Sequence, residues 1–200
     1  MKLYATPGSP YARMARIMVI EKKLEKRVEV IFAQTRTVGS AYYQVNPSGR
    51  VPYLVRDDGV GMEESADICA YLDQLDGKPA FSLPAGEAGW EARCLEARAR
   101  SLMDGLAVWL RELYRPENER SPGVIRHEAE RAARMVDFWE REIGQPYLRG
   151  KLNMAQLTLA CALGLEARNR DFDWRSGHSG LCDWYGPLAA RPSFVATAPR

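Results

Sequence analysis

A short apolar run, Met1-Lys2-Leu3-Tyr4-Ala5, breaks at Thr6-Pro7-Gly8 and reopens as Ser9-Pro10-Tyr11-Ala12-Arg13, and this punctuation limits the fold more than any other stretch. Pro-Gly makes a turn, serine suits the position before a helix, and proline just inside a helix forfeits no hydrogen bond. The spacing predicts a strand, then a helix over Pro10 to Glu21 with Met14, Ile17, Met18 and Val19 facing a core. Lys22 and Lys23 match the negative end of that helix. A second strand follows at Val28-Glu29-Val30-Ile31-Phe32, whose nearly continuous apolar character predicts cover on both faces. Strand, helix, strand in this order makes a parallel βαβ unit. Ser9 then caps a helix: its oxygen accepts a backbone N–H while its hydroxyl hydrogen is left to donate, beside orphan amides and the positive dipole end, a combination that holds anions. Taken alone, a serine ahead of a proline is only a cap.

The next stretch is a polar segment around Ser40 to Gln44 and then Asn46-Pro47-Ser48-Gly49-Arg50-Val51-Pro52, with turns on either side of an extended piece. Tyr53 to Arg56 and Val60 to Met62 flank Asp57-Asp58-Gly59 and read as a hairpin. Glu64-Ser65 opens a helix through Ala66, Ile68, Cys69, Tyr71 and Leu72, so the N-terminal unit reads βαβ then ββα. Asp76 to Gly89 holds two prolines and three glycines with little periodicity. We place domain boundaries accordingly: residues 1–77, a linker over 78–89, and an all-helical domain over 90–200. In that second domain Leu95, Leu102, Leu106, Trp109, Leu110 and Leu113 recur at helical spacing, with Asp104 and Arg111 off the stripe. Ile125, Ala129, Ala132, Val136, Trp139 and Ile143 form one narrow apolar seam. Asn153 suits a cap, Gln156 reaches back to it, and Leu152 staples onto Leu157, opening a helix apolar on nearly every side and therefore buried. Asp171 to Gly180 reads as loop, and a last helix around Leu181 to Ala190 is ended by Arg191-Pro192-Ser193-Phe194.

Composition narrows the chemistry. Of 200 residues, 46% are apolar and 27% charged, with a net charge of +2, which points to a globular chain without a nucleic-acid footprint. No apolar run has the length of a signal stretch or a bilayer span, so a cytoplasmic protein that meets no membrane is expected. Cys69, Cys94, Cys161 and Cys182 lie far apart in apolar helical patterns and are expected to be buried, reduced thiols. His127 and His178 have no partner at metal-ligand spacing, so no metal site is expected and surface or capping roles suit both.

The segment after the first strand, the Val-Pro before the third and the Glu-Ser opening the third helix together resemble the thioredoxin-like domain of cytosolic glutathione transferases. Ser9-Pro10-Tyr11-Ala12 stands where glutaredoxins carry Cys-Pro-Tyr-Cys, and the Asn46 to Pro52 run is similar to the transferase signature. The helical second half resembles that family too, and the Ser-Pro-Tyr start and Arg-Pro-Ser-Phe tail look most like a bacterial serine-type branch. The resemblance implies glutathione as co-substrate with no cofactor, a small electrophile as second substrate, a homodimer and a role in detoxification. It implies a cis bond before Pro52, turning Val51 outward so that its N–H and C=O pair with the cysteinyl unit of glutathione. Ser65, at a helix start, would take the γ-glutamyl carboxylate and Glu64 the ammonium beside it. Arg50 would pair with the glycyl carboxylate, and Asp104 would reach the ammonium across a dimer interface. Tyr11, Met103, Trp109, Arg111 and Trp174 are candidates for the electrophile pocket, although an aromatic stripe on a helix also serves as core.

A magnitude sets the mechanism. Moving a thiol from about pH 8.5 to about 6.5 needs roughly 3 kcal/mol of preference for the thiolate. One hydroxyl hydrogen bond to a charged acceptor supplies about 1.5 to 3 kcal/mol, and a helix terminus about 0.3 to 1. Ser9 would therefore stabilise an attacking sulfur electrostatically, without being a nucleophile or base itself. Serine and alanine at positions 9 and 12 argue against dithiol exchange. Two alternatives stand beside conjugation: a silent binding or assembly protein on the same fold, and glutathione-dependent reduction of peroxides or disulfides. Relatives with Ser or Thr and then Asp at the sixth-helix cap differ from this chain's Asn153 and Gln156, which keep the hydrogen bonds but not the charge.

Overall fold

The computed structural model of the chain describes residues 1–83 and 86–199. Pro84 and Ala85 of the expected linker lie outside the described residues. The chain divides into two units, Met1–Ser82 together with the residues from Pro192 on, and Leu83–Arg191.

In the first unit the opening strand becomes the pivot of a four-stranded sheet. Strand β1 (Lys2–Ala5) runs parallel to β2 (Glu29–Phe32) and antiparallel to β3 (Tyr53–Val55), which pairs antiparallel with β4 (Gly61–Met62), in the order β2-β1-β3-β4. Leu3, Ala5 and Leu54 are fully buried, as the two-residue alternation of the strands requires. Helix α1 (Pro10–Glu21) starts and stops where the cap and the lysines place it, and packs against α3 (Ser65–Gln74). Between them the polar stretch after β2 forms a single helical turn, α2 (Tyr42–Val45), which the sequence pattern did not mark. This sheet and its helices make a thioredoxin-like domain.

One expectation for the sheet is corrected. β2 is an edge strand and is not covered on both faces, leaving Val30 36% and Phe32 56% exposed. Its β-branched run reflects strand propensity rather than burial. The Arg16 guanidinium lies 5.3 Å above the Phe32 ring and shields part of it.

The second unit is helical: α4 (Trp90–Leu113), α5 (Pro122–Glu142), α6 (Met154–Leu163) and α7 (Ser179–Ala189), with short 3₁₀ turns between them. Every residue of α6 is buried, as its all-round apolar character demands. Its capping box closes as read: Asn153 Oδ1 accepts from the Gln156 amide at 3.1 Å, and Gln156 Oε1 accepts from the Asn153 amide at 3.0 Å. On α5 the seam residues Ala132, Val136 and Trp139 are buried. None of the four cysteines is in a disulfide; Cys69 and Cys161 are buried, Cys182 intermediate and Cys94 exposed, and the last two correct the expectation of burial, because Cys94 sits on the solvent side of the α4 stripe. His127 is exposed, and His178 precedes α7 with its Nε2 2.9 Å from Asp137. Arg191-Pro192-Ser193-Phe194 does more than end α7. It opens a further helix, α8 (Pro192–Ala196), which packs on α1 in the first unit.

Asp73, near the end of α3, anchors the chain as it leaves the sheet domain. Only 1% exposed, it accepts from the amides of Ala80, Phe81 and Ser82, each at 3.0 Å, and from the Ser82 hydroxyl, and it faces Lys22 Nζ at 3.1 Å. Burial works to raise this carboxyl, but the amide hydrogen bonds, Lys22 and Ser82 outweigh it and hold the group below the ordinary carboxylate range. A depressed carboxylate stabilises the fold above its unfolded value, about 3.9, and that contribution is lost as pH falls through the folded value. Asp73→Ala takes the acceptor from the Ala80, Phe81 and Ser82 amides while Lys22 keeps Asp76 and the Lys78 carbonyl, and is expected to cost about 3 kcal/mol. Urea unfolding at pH 7 checks this, and the difference between wild type and variant should shrink as pH drops below about 3.9.

Candidate functional site

Strand register brings three separate stretches to one end of the sheet. Ala5 ends β1, Tyr53, which begins β3, lies opposite Tyr4, and Met62, which ends β4, lies opposite Leu54. The turn carrying Ser9, the segment ending in Val51-Pro52, and the Glu63-Glu64-Ser65 entry to α3 therefore all leave from the same side. A hydrogen bond from the Ser48 hydroxyl to Glu63 ties the second of these stretches to the third.

Ser9 is the N-cap of α1. Its extended backbone lets its Oγ accept from the Ala12 amide at 3.2 Å. Among the described residues its hydroxyl hydrogen is donated to nothing, and the first turn of α1 contains no acidic side chain. The positive end of the helix thus has a half-buried hydroxyl donor in front of it and no carboxylate to neutralise it.

The segment before β3 is locked from below. Tyr42 donates its phenol hydrogen to the Arg50 carbonyl at 2.5 Å, and the Asn46 side chain, 2% exposed, donates to the same oxygen at 3.1 Å. The Ser48 hydroxyl accepts from the Arg50 amide at 3.2 Å. Gly49 has φ +66°, and a Cβ there would come within 2.6 Å of Tyr43, so the turn needs glycine on both counts. The Val51–Pro52 peptide is cis. Val51 itself, with its neighbour so firmly fixed, spends neither its N–H nor its C=O on an intramolecular hydrogen bond among the described residues. An open donor and acceptor on one residue match an extended peptide.

At the third stretch Glu64 has φ +65°, and its carboxylate accepts from the Ala66 amide at 3.4 Å and from the Ser65 hydroxyl at 3.2 Å. Ser65 is buried while Glu64 is exposed. Hydrogen bonds from Ser48 and then Asn46, with the charge of Arg50, hold the Glu63 carboxyl below its ordinary value despite some burial. The supporting roles of Tyr42, Asn46, Ser48 and Glu63 were not assigned from the sequence. No local pattern signals the Ser48–Glu63 pair: the β3–β4 register, with Leu54 opposite Met62, runs on to Tyr53 rather than Ser48 opposite Glu63.

The remaining predicted residues are dispersed. Arg50 is exposed, with its side chain in solvent, and Tyr11 is half-buried in α1. Asp104 and Arg111 are exposed on α4 of the second unit. Met103 is fully buried and Trp109 is 4% exposed against Phe172, so both are packing residues of that unit. Trp174 is 1% exposed, donates its indole N–H to the Leu163 carbonyl at 3.1 Å and stacks edge-on with Tyr185. These contacts correct the reading of Met103 and Trp174 as pocket walls: both side chains are spent on the core.

The glutathione S-transferase N-terminal domain profile matches residues 3–80. Over 201 residues the chain is 29% identical to an uncharacterized GST-like protein, YibF, of Escherichia coli K12, covering all of this chain and 98% of that one. It shares 37% identity over 87 residues with glutaredoxin 2 of the same organism, covering 41% of this chain and 37% of the relative. Among solved structures it superposes with a TM-score of 0.86 and 30% identity, over the full length of both chains, on a glutathione transferase family member from Pseudomonas fluorescens Pf-5 with bound S-(propanoic acid)-glutathione. The chain belongs to the glutathione S-transferase family.

Because Asn46 fixes the carbonyl ahead of Val51, Asn46→Ala is expected to speed hydrogen exchange at the amides of Gly49 and Arg50 and to destabilise the fold by about 1 to 3 kcal/mol. Mass-resolved exchange of both proteins checks it. Unchanged protection in this segment would show that Tyr42 alone holds the loop.

Proposed function

We propose that this protein binds reduced glutathione at the sheet end described above and conjugates it, through its thiolate, to a small electrophile. The observation that carries the reading is Ser9: a capping hydroxyl with an uncommitted hydrogen, at a helix start without an acidic neighbour. Glutathione in the relative from Pseudomonas fluorescens supports the ligand class. In this reading Val51 pairs through its N–H and C=O with the cysteinyl unit, which hangs the thiol over the α1 terminus. Ser65 and the start of α3 receive the γ-glutamyl carboxylate, with Glu64 toward the ammonium and Arg50 toward the glycyl carboxylate. The Ser9 hydroxyl donates to the sulfur, favouring the thiolate and so the fraction of ligand ready to attack. The thiol proton leaves to water, and the sulfur then forms a carbon–sulfur bond as the electrophile's leaving group departs or its double bond takes up a proton from water. Ser9 exchanges no proton with it. Assignment to the serine-type branch, a homodimeric state and a cytoplasmic detoxifying role belong to the same reading.

A second reading, glutathione-dependent reduction, is favoured by the similarity to glutaredoxin 2 over the N-terminal stretch. With Ser9 and Ala12 in the turn, the attacking sulfur there would have to be that of glutathione.

Ser9→Ala is expected to raise the pKa of the bound thiol by about 1 unit or more and to lower turnover near pH 7 about tenfold, with glutathione affinity little changed. Absorbance titration of the thiolate in the complex checks it, and an unshifted titration removes Ser9 from the mechanism. Ser65→Ala is expected to do the opposite, weakening affinity by about tenfold with the thiol pKa retained, as calorimetry would read. Turnover of a model electrophile alongside a glutathione mixed disulfide separates conjugation from reduction.

A further inference from the structure

Arg13 sits one turn inside α1, four residues after Ser9, and its amide donates to the Ser9 carbonyl at 2.9 Å. Its side chain is 4% exposed, an unusual place for a guanidinium without a carboxylate. No ion pair involves it among the described residues, and its Nε and Nη1 have no hydrogen-bond partner. What it does have is α8: Nη2 donates to the Phe194 carbonyl at 3.2 Å, and the guanidinium lies 5.4 Å from the centre of the Phe194 ring. Phe194 is 1% exposed, so the stacking is shielded from water. At the other end of α1 the Ser193 hydroxyl donates to Glu21. The Thr197 hydroxyl donates to the Ser193 carbonyl at 2.7 Å and steadies α8 itself.

We infer that Arg13 and Phe194 are positioning residues for Ser9: the tail helix grips α1 at both ends and fixes the rotation of the helix whose first turn aims the Ser9 hydroxyl. This deepens the proposed transferase reading and rests on it. A helix packed against one neighbour can rock about its axis, but α1 is held by α3 on one side and by α8 at Arg13 and at Glu21. Release at Arg13 acts on the turn that carries the cap. The sites at Val51 and Ser65 belong to other elements and are untouched, so the effect falls on the sulfur rather than on the binding of the tripeptide.

The test is the thiol pKa of bound glutathione, together with kcat and KM, in full-length wild type, Arg13→Met, Arg13→Lys and Phe194→Leu. Phe194→Leu keeps apolar volume and the carbonyl, so it reports even where Arg13→Met folds poorly. Arg13→Met should raise the thiol pKa by about 1 unit, equivalent to about tenfold less thiolate near neutral pH, and lower kcat with KM for glutathione nearly constant. Phe194→Leu should shift it in the same direction by less, and Arg13→Lys should recover part of the wild-type value. A purely structural role would lower melting temperature and leave the pKa where it was. That result, with a depressed thiol in wild type, overturns this inference alone. An ordinary thiol pKa in the wild-type complex overturns the transferase reading and this inference with it.

Discussion

The candidate site depends first on how β1 is held. It pairs in parallel with β2 and antiparallel with β3. Its C-terminal end is therefore level with the start of β3, and, through the hairpin, with the exit from β4. A slip of one residue would turn Leu3 and Leu54 out of the core and carry the Ser9 turn away from Val51. The geometry of the site is thus fixed first by burial of strand side chains, with the Ser48–Glu63 hydrogen bond joining two of the loops on that frame.

Upon that frame the sequence sets local chemistry. Each of the three stretches presents groups that the fold has left or made available: a cap hydroxyl, an unpaired peptide unit and a second helix start. The parts around them are saturated. Arg50's carbonyl takes two donors, and Glu63 is held by Ser48 and Asn46. Rigid surroundings with a few open polar groups are what distinguish a preorganised site from an irregular loop.

Much of this was legible in the residues. Ser9-Pro10 placed α1 to the residue, the Asp57-Asp58-Gly59 turn gave the hairpin, and Asn153 with Gln156 gave the α6 cap, because each is governed by chemistry within a few positions. What the sequence hid was long-range. An apolar run such as Val28 to Phe32 has the same composition at a sheet edge as at its centre, so strand order alone made β2 an edge. Trp174 and Met103 look like pocket residues until their packing partners are known. The return of α8 to α1, 181 residues from Arg13 to Phe194, leaves no periodic trace at all.

If the three stretches form one cradle for a single tripeptide, they must register its arrival together. The most direct measurement is a titration of isotope-labelled protein with reduced glutathione, following backbone amide resonances. Ala12, Val51 and Ser65 are expected to shift together along one saturation curve. Shifts confined to one of the three, or curves with different midpoints, would contradict it.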